Sequence, residues 1–506
     1  MKNKIALLVA AASLSACAVG PDFLRPDAPD TTGYTTGPMQ DTTNSVDDPA
    51  GTAQHLTVGA DVDGHWWTRF NNETLDDYVA EALKNNPSLA QAQASLRQAR
   101  ETVYAAEGAY YPSIDGNANV TRSKNSAAEF GEGGGATAIP FNLLYTIYTA
   151  NVSASYTADI WGGIRRSVES EEAQQEYQLY ETEAAYQSLT GNVVSAAITE
   201  ASLRAQIAST ENIIKLESEA LRIINAQFEL GGVSKADVLS QQTNLAQQKA
   251  LLPPLHKQLA ETRDELMALM GRFPDQDDGR PIKLAELTLP ADLPVSVPSD
   301  LVNQRPDIRA AEAALHAATA NVGVSTANLL PQVQLTASYG VEATTTNSLF
   351  GPGSQIYSLG AGVTQPLFHG GTLWHERRES QAALDAAVAA YKGTVINAFQ
   401  NVADALRVVE ADADALKAEV EAERSAEESY KIAKMQFDAG SLTYLTLLTT
   451  EQQYQQTTIA LAQAEAQRYT DTAALYQALG GGWWNRTDIP NEDEADYRAR
   501  VEGDKP

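Results

Sequence analysis

The chain has 506 residues, a formal charge of −29 and an apolar fraction of 43%. So acidic a chain makes a poor nucleic-acid binder, because neutralising a phosphate backbone needs clustered Lys and Arg; its charge favours solubility and the passage of cations instead. A single cysteine excludes an internal disulfide framework and any multi-cysteine metal site.

At the start of the chain, Lys2 and Lys4 precede an apolar run from Ile5 to Leu14. That run is too short to span a membrane as a helix, and residues 1–16 read as a signal peptide. The tetrapeptide Leu14-Ser15-Ala16-Cys17 resembles the bacterial lipobox, which predicts a covalent lipid on Cys17; the alternative is an ordinary signal peptide with a chance cysteine. Ala18 stands where an inner-membrane retention signal would place Asp, so the resemblance points to the outer membrane. Residues 17–60 are rich in Pro, Thr, Asp and Gly without periodicity and are expected to form an extended, poorly structured lead.

A first repeat is expected over residues 61–271. Thr74 to Ala109 has helical character and is stopped by Tyr111-Pro112. The period then changes to two: Ile114, Ala118 and Val120 alternate with polar residues, and so do Val152, Ala154, Tyr156 and Ala158. These predict strands at about 113–122 and 150–160, of the length a tilted membrane strand needs, flanking a Gly-rich loop around 131–135. A long helix over about 163–229 follows and ends at Gly231-Gly232. Val233 to Met270 reads as a returning helix interrupted at Pro253-Pro254.

After a Pro- and Asp-rich connector, residues 272–300, the same order recurs over 301–484. Strands are expected at about 332–342 and 356–366, with apolar faces Val333, Leu335, Ala337, Tyr339 and Tyr357, Leu359, Ala361, Val363. A second long helix follows over about 371–438, and an acidic tail occupies 485–506. The two long helices share one ladder in steps of seven. It reads Leu179, Tyr186, Val193, Glu200, Ile207, Ile214, Leu221, Phe228 in the first helix and Val388, Val395, Val402, Val409, Leu416, Glu423, Tyr430, Phe437 in the second. Fourteen of these sixteen positions are apolar, about twice what a 43% apolar composition would place there. A strict heptad stripe implies coiled-coil packing, and each run would be a rod of about 100 Å.

Each repeat thus supplies two short helices, two strands and one long helix, and the short helices stacked end to end would match the long one. One chain offers four membrane-type strands, whereas the smallest closed single-chain barrels need about eight. Open strand edges cannot stay unpaired in lipid, so the chain must oligomerise; two copies or three would close a barrel.

Leu14-Ser15-Ala16-Cys17, Gln304-Arg305-Pro306-Asp307-Ile308-Arg309, the paired glycine turns and Ala478-Leu479-Gly480-Gly481-Gly482-Trp483 resemble the outer-membrane factor family. These are the TolC-like and OprM-like channels, and the similarity is to their efflux lipoprotein branch. The resemblance spans about residues 60 to 484. It implies an α+β membrane protein: a homotrimer with a twelve-stranded transmembrane β-barrel continuous with a periplasmic α-helical barrel. It further implies an outer-membrane location in a Gram-negative bacterium, and partnership with a periplasmic adaptor and an inner-membrane resistance-nodulation-division pump. No cofactor is expected beyond the lipid on Cys17.

Two turns would form the periplasmic tips, Gly231-Gly232-Val233-Ser234 and Gly440-Ser441-Leu442-Thr443. They read as glycine-capped hairpins whatever their function; the resemblance implies that they dock the adaptor. In OprM-like members a leucine and an aspartate beyond the second turn close the tip. Leu445 matches the leucine, with packing against Leu448 as the alternative, and Thr449 stands in place of the aspartate. A threonine ring would lack both carboxylate repulsion and a strong cation site. No HExxH, GxSxG or P-loop pattern appears, and His369 and His375, six residues apart, are a weak metal pattern. Drug or small-solute efflux is therefore expected, with metal-ion efflux or type I protein secretion as alternatives and a trimeric coiled-coil adhesin as a remote one.

Overall fold

The structure is a computed structural model that describes residues 18–31, 33–37, 40–124 and 144–486. The signal segment, Cys17, the Gly-rich run around 131–135 and the acidic tail beyond 486 lie outside the described residues. In chain order the elements begin with β1 (His55–Val58), α1 (Glu73–Asn85), α2 (Pro87–Glu107), β2 (Ser113–Lys124), β3 (Leu144–Ala158) and α3 (Gly163–Glu229). They continue with α4 (Lys235–Leu269), β4 (Asp292–Val295), α5 (Pro298–Gln304), α6 (Pro306–Ala327), β5 (Gln332–Ala343), β6 (Gln355–Thr364), α7 (Thr372–Asp438) and α8 (Tyr444–Ala478). Both long helices, α3 and α7, have 67 residues, and both returning helices, α4 and α8, have 35. The described residues divide into two compact units, the first drawn from the chain up to Arg25 with Arg97–Glu176 and Glu312–Ala390, the second from Pro26–Leu96, Tyr177–Ala311 and the chain from Tyr391 to 486.

The first unit holds a four-stranded antiparallel sheet in the order β2-β3-β5-β6. Register decides what its faces are. Ile114 pairs with Ala154 and Val120 with Tyr148; Val152 pairs with Tyr339 and Tyr156 with Leu335; Tyr339 then pairs with Tyr357 and Ala337 with Leu359. Because side chains alternate along a strand, this pairing gathers the apolar sets of all four strands on one face. Ile114, Val120, Val152, Tyr339, Tyr357, Leu359 and Val363 are all exposed there. The opposite face is polar and bonded to itself, through Ser113–Ser155 at 2.8 Å, Asn117–Ser153 at 3.1 Å and Ser338–Ser358 at 3.0 Å. Strand β3 starts at Leu144, ahead of the position expected near 150, because it pairs with β2 as far as Lys124. Over Leu144 to Tyr148 apolar and aromatic side chains fall on both faces, which blurs the alternation in sequence.

The segment just beyond Cys17 is fixed within this unit. Val19 N–H donates to the Trp161 carbonyl at 2.9 Å, Phe23 stacks on His316 at 4.3 Å, and Arg25 pairs with Glu312 at 3.0 Å. In the second unit, residues 41–58 form a packed strap in which β1 pairs in parallel with β4. The buried guanidinium of Arg468 holds it, donating to the Ala50 carbonyl at 2.7 Å, the Thr52 carbonyl at 2.8 Å and Thr43 Oγ1 at 3.1 Å. The expectation of a poorly structured lead is thus corrected. An irregular strap has no period to read, and its carbonyls are satisfied by a distant side chain.

Two other expectations change. The helix anticipated over Thr74 to Ala109 is broken at Asn86, whose extended backbone (ψ 123°) is what the following Pro87 requires. Asn86 Oδ1 then caps α2 by accepting from Ser88 N–H at 2.8 Å, while its Nδ2 donates to the Leu269 carbonyl at 2.8 Å, so α4 ends where α2 begins. Arg305, also before a proline, likewise donates to the Ala478 carbonyl at the end of α8, at 2.8 Å. Conversely, α4 continues through Pro253 and Pro254. Both prolines, and the Lys249 and Ala250 carbonyl region they deprive of partners, are exposed, so water replaces the lost bonds.

The heptad ladder becomes the buried stripe of the second unit: Tyr186, Val193, Ile207, Val395, Val402, Val409 and Leu416 are all buried. Its polar exception in α3 has an explanation. Glu200 is fully buried and accepts from Arg204 at 2.7 Å and from Arg263 at 3.2 Å. Arg263 also pairs with Asp277 and donates to Tyr78 Oη at 3.0 Å and to the Arg280 carbonyl at 2.9 Å. We expect Glu200→Leu to complete the apolar stripe yet lower the thermal midpoint by the equivalent of about 3 kcal/mol, since it strips a buried guanidinium of a partner. The double variant Glu200→Leu/Arg263→Met should recover most of the loss. A single-variant midpoint at or above wild type would show that the ion pair contributes nothing.

Candidate functional site at the helical turns

The two long helices stop in the same way. Gly231 (φ 78°) and Gly440 (φ 74°) adopt the left-handed conformation that ends a helix. Gly231 N–H donates to the Phe228 carbonyl at 2.9 Å and Gly232 N–H to that of Gln227 at 2.8 Å. Gly440 N–H donates to the Phe437 carbonyl at 2.9 Å and Ser441 N–H to that of Gln436 at 2.9 Å. The returning helices start on hydroxyl caps. Ser234 Oγ accepts from Asp237 N–H at 3.3 Å, and the Asp237 carboxylate accepts from Ser234 N–H at 2.8 Å, closing a capping box. These bonds from Ser234 hold the Asp237 carboxyl below its usual range. Thr443 Oγ1 accepts from Thr446 N–H at 3.4 Å.

Each turn is anchored by one apolar residue. Val233 and Leu442 pack on a small core of Ile224, Val238, Ala433, Tyr444, Leu447 and Leu448. The remaining turn residues, Gly231, Gly232, Ser234, Gly440, Ser441 and Thr443, face solvent. Leu445 does not join that core. Leu447 and Leu448 are buried, whereas Leu445 is 68% exposed. Thr449, one turn on, is exposed too, and its hydroxyl donates back to the Leu445 carbonyl at 2.9 Å. The pair therefore presents an apolar side chain and a neutral hydroxyl on one helix face.

Behind the turns lies a polar knot that sequence reasoning missed. Glu217 of α3 is fully buried. Its carboxylate accepts from Gln241 and Asn244 of α4 and from Gln455 of α8 at 3.0 Å, joining three helices. Burial raises the Glu217 carboxyl above the usual range while these amide donors oppose the shift. The legible signal was the spacing of Gln241 and Asn244, three apart on one helix face. Among the described residues, no group of three or more His, Cys, Asp or Glu is arranged to hold a metal ion, and His369 and His375 form no such group. None of the described helices is long and apolar enough to cross a membrane.

A sheet with one exposed apolar face, in a chain of long helical hairpins with open glycine turns, defines a membrane channel protein of the outer-membrane type. The chain belongs to the outer membrane efflux protein family, whose model matches residues 78–272 and 297–481. It is 30% identical over 424 residues to the pyoverdine export outer membrane protein OpmQ of Pseudomonas putida, covering 83% of this chain and 88% of that one. It is 27% identical over 502 residues to the toluene efflux pump outer membrane protein TtgC of Pseudomonas putida, covering 97% and 98%. Among solved structures, the outer-membrane channel OprN superposes with a TM-score of 0.80 at 26% identity, covering 92% of this chain and all of that one. The protein is accordingly an outer-membrane efflux channel of the Gram-negative type, a transport conduit and not an enzyme.

Proposed function

We propose that three copies of this chain form the exit duct of a tripartite pump, carrying small organic solutes from the periplasm to the exterior. The observation that carries this reading is the register of the sheet, which collects an exposed apolar face and leaves β2 and β6 as its end strands. Three copies would make twelve strands and remove every edge. The equal lengths of α3 and α7, and of α4 and α8, support descent from two internal repeats. An inner-membrane pump of the resistance-nodulation-division class and a periplasmic adaptor complete the assembly. The adaptor would seat on the turns Gly231-Gly232-Val233-Ser234 and Gly440-Ser441-Leu442-Thr443, most of whose residues face solvent. Organic cargo is supported by the export of pyoverdine and toluene named for the relatives OpmQ and TtgC.

Leu445 is the proposed constriction. It lies beside the second turn, exposed to 68%, and three copies about a threefold axis would make an apolar ring. Thr449 adds no charge to it. Leu445→Ala should raise single-channel conductance in planar bilayers and vancomycin entry into cells. Thr449→Asp should add block by multivalent cations at low ionic strength, where screening is weakest. Unchanged conductance and permeability in Leu445→Ala would put the constriction at other residues. Strong multivalent-cation block in the wild type would assign the entrance to carboxylates elsewhere.

Cys17 is the proposed lipid attachment site, and the docked stretch from Val19 to Arg25 supports a fixed anchor beside the sheet's own unit. Mass spectrometry of the mature N-terminus should find a lipidated cysteine. A retained Met1 or an unmodified Cys17 would contradict it.

A further inference from the structure

The knot at Glu217 contains a second buried acid. Glu451 of α8 is buried one turn before Gln455, and its hydroxyl partner is Tyr430 of α7. The two carboxyls are served unequally. Glu217 accepts from three amide groups on two helices, Gln241, Asn244 and Gln455, an arrangement that suits an ionised carboxylate. Glu451 has one phenol and, at the rim, the exposed Lys434. Two charged carboxylates in one buried site repel each other, and a proton on Glu451 removes that repulsion.

Among the described residues, Lys434 is the cation named as acting on Glu451. Packed against the pair are Gln241 and Asn244 from α4, Tyr430 and Lys434 from α7, and Tyr444, Gln452 and Gln455 from α8. Nearer the turns, Asp438 acts on Tyr430 and Asp237 on Tyr444, adding negative charge to the tyrosines around the pair. The knot is also incompletely bonded: Gln241 Oε1, Gln455 Oε1 and Tyr444 Oη are buried without hydrogen-bond partners. Glu451 lies six residues along α8 from Leu445, about 9 Å.

We propose that Glu217 and Glu451 form a proton-operated latch: a proton on Glu451 keeps the first turns of α8 seated on α3 and α4, and its loss releases them. The proposal deepens the reading of Leu445 as the constriction, because the helix it releases carries that residue. Burial first, and then the charge of Glu217, pushes the Glu451 carboxyl up to about 7. The sign follows from linkage. The seated state binds the proton more tightly than the released one, so its advantage is full below the ordinary carboxylate range and is lost as pH rises toward about 7. Acid seats the helix and mild alkali frees it.

The test compares hydrogen exchange over residues 444–455 in the detergent-solubilised full chain, wild type against Glu451→Gln, at matched pH. Glutamine has the shape of the protonated acid and cannot lose the proton. At pH 5 the two proteins should exchange nearly alike; at pH 8 the wild type should exchange about a hundredfold faster, the effect of roughly two pKa units. Glu217→Gln, which removes the carboxylate that repels Glu451, should likewise slow exchange at pH 8 relative to wild type. Equal rates for wild type and Glu451→Gln at both pH values would overturn the latch. This readout involves no conduction, so failure of Leu445→Ala to alter conductance would leave the exchange result standing and would count against the constriction alone.

Discussion

The four-stranded sheet is the constraint on which the rest depends. Its pairing order leaves β2 and β6 each with one partner among the described residues, and its apolar residues share one exposed face. In hydrocarbon every backbone N–H and C=O without a partner costs several kcal/mol, and a 12-residue end strand such as β2 exposes a row of them. Such a sheet persists in a membrane only when its ends meet other strands. Association is therefore a condition of the fold in lipid, and the helices that leave the strands inherit whatever symmetry the closure imposes.

Helix packing in the second unit is governed by a different economy. The heptad stripe supplies the apolar core, and the polar groups admitted to it are ones that tie distant segments together. Glu200 and Arg263 join α3 to α4 and to the connector through Asp277. Arg468 gathers the strap of residues 43–52 onto α8. Glu217 joins α3, α4 and α8 near the turns. Truncating one partner in any of these leaves a buried charge or donor unmatched, which is why each tie is specific. Arg263 meets four groups, from Glu200, Tyr78, Asp277 and the Arg280 carbonyl.

The elements with a strict period were legible in the sequence. Val333, Leu335, Ala337 and Tyr339 alternate and lie on one sheet face; Val395, Val402 and Val409 repeat by seven and are buried. The glycine stops at Gly231 and Gly440 were legible because only glycine takes that backbone angle without strain. What escaped reading was set by contacts far apart in sequence. The strap at residues 41–58 owes its order to an arginine more than four hundred residues later. Pro253-Pro254 looked like an interruption, yet exposure lets water satisfy the freed carbonyls. Glu217 and Glu451 carry no mark in the sequence that separates them from helix-surface acids; it is the packing of other helices that buries them. For the candidate site, the turn residues and the exposed Leu445 were nameable in advance, whereas the polar knot behind them was not.

The most direct test of this account is the mass of the assembly taken from native membranes. Extraction into lipid nanodiscs followed by native mass spectrometry should give a protein mass of three chains, with no smaller species that retains folded sheet. A single-chain or two-chain particle with its strands intact in lipid would contradict it, because the end strands would then have found partners in some way that a threefold barrel does not describe.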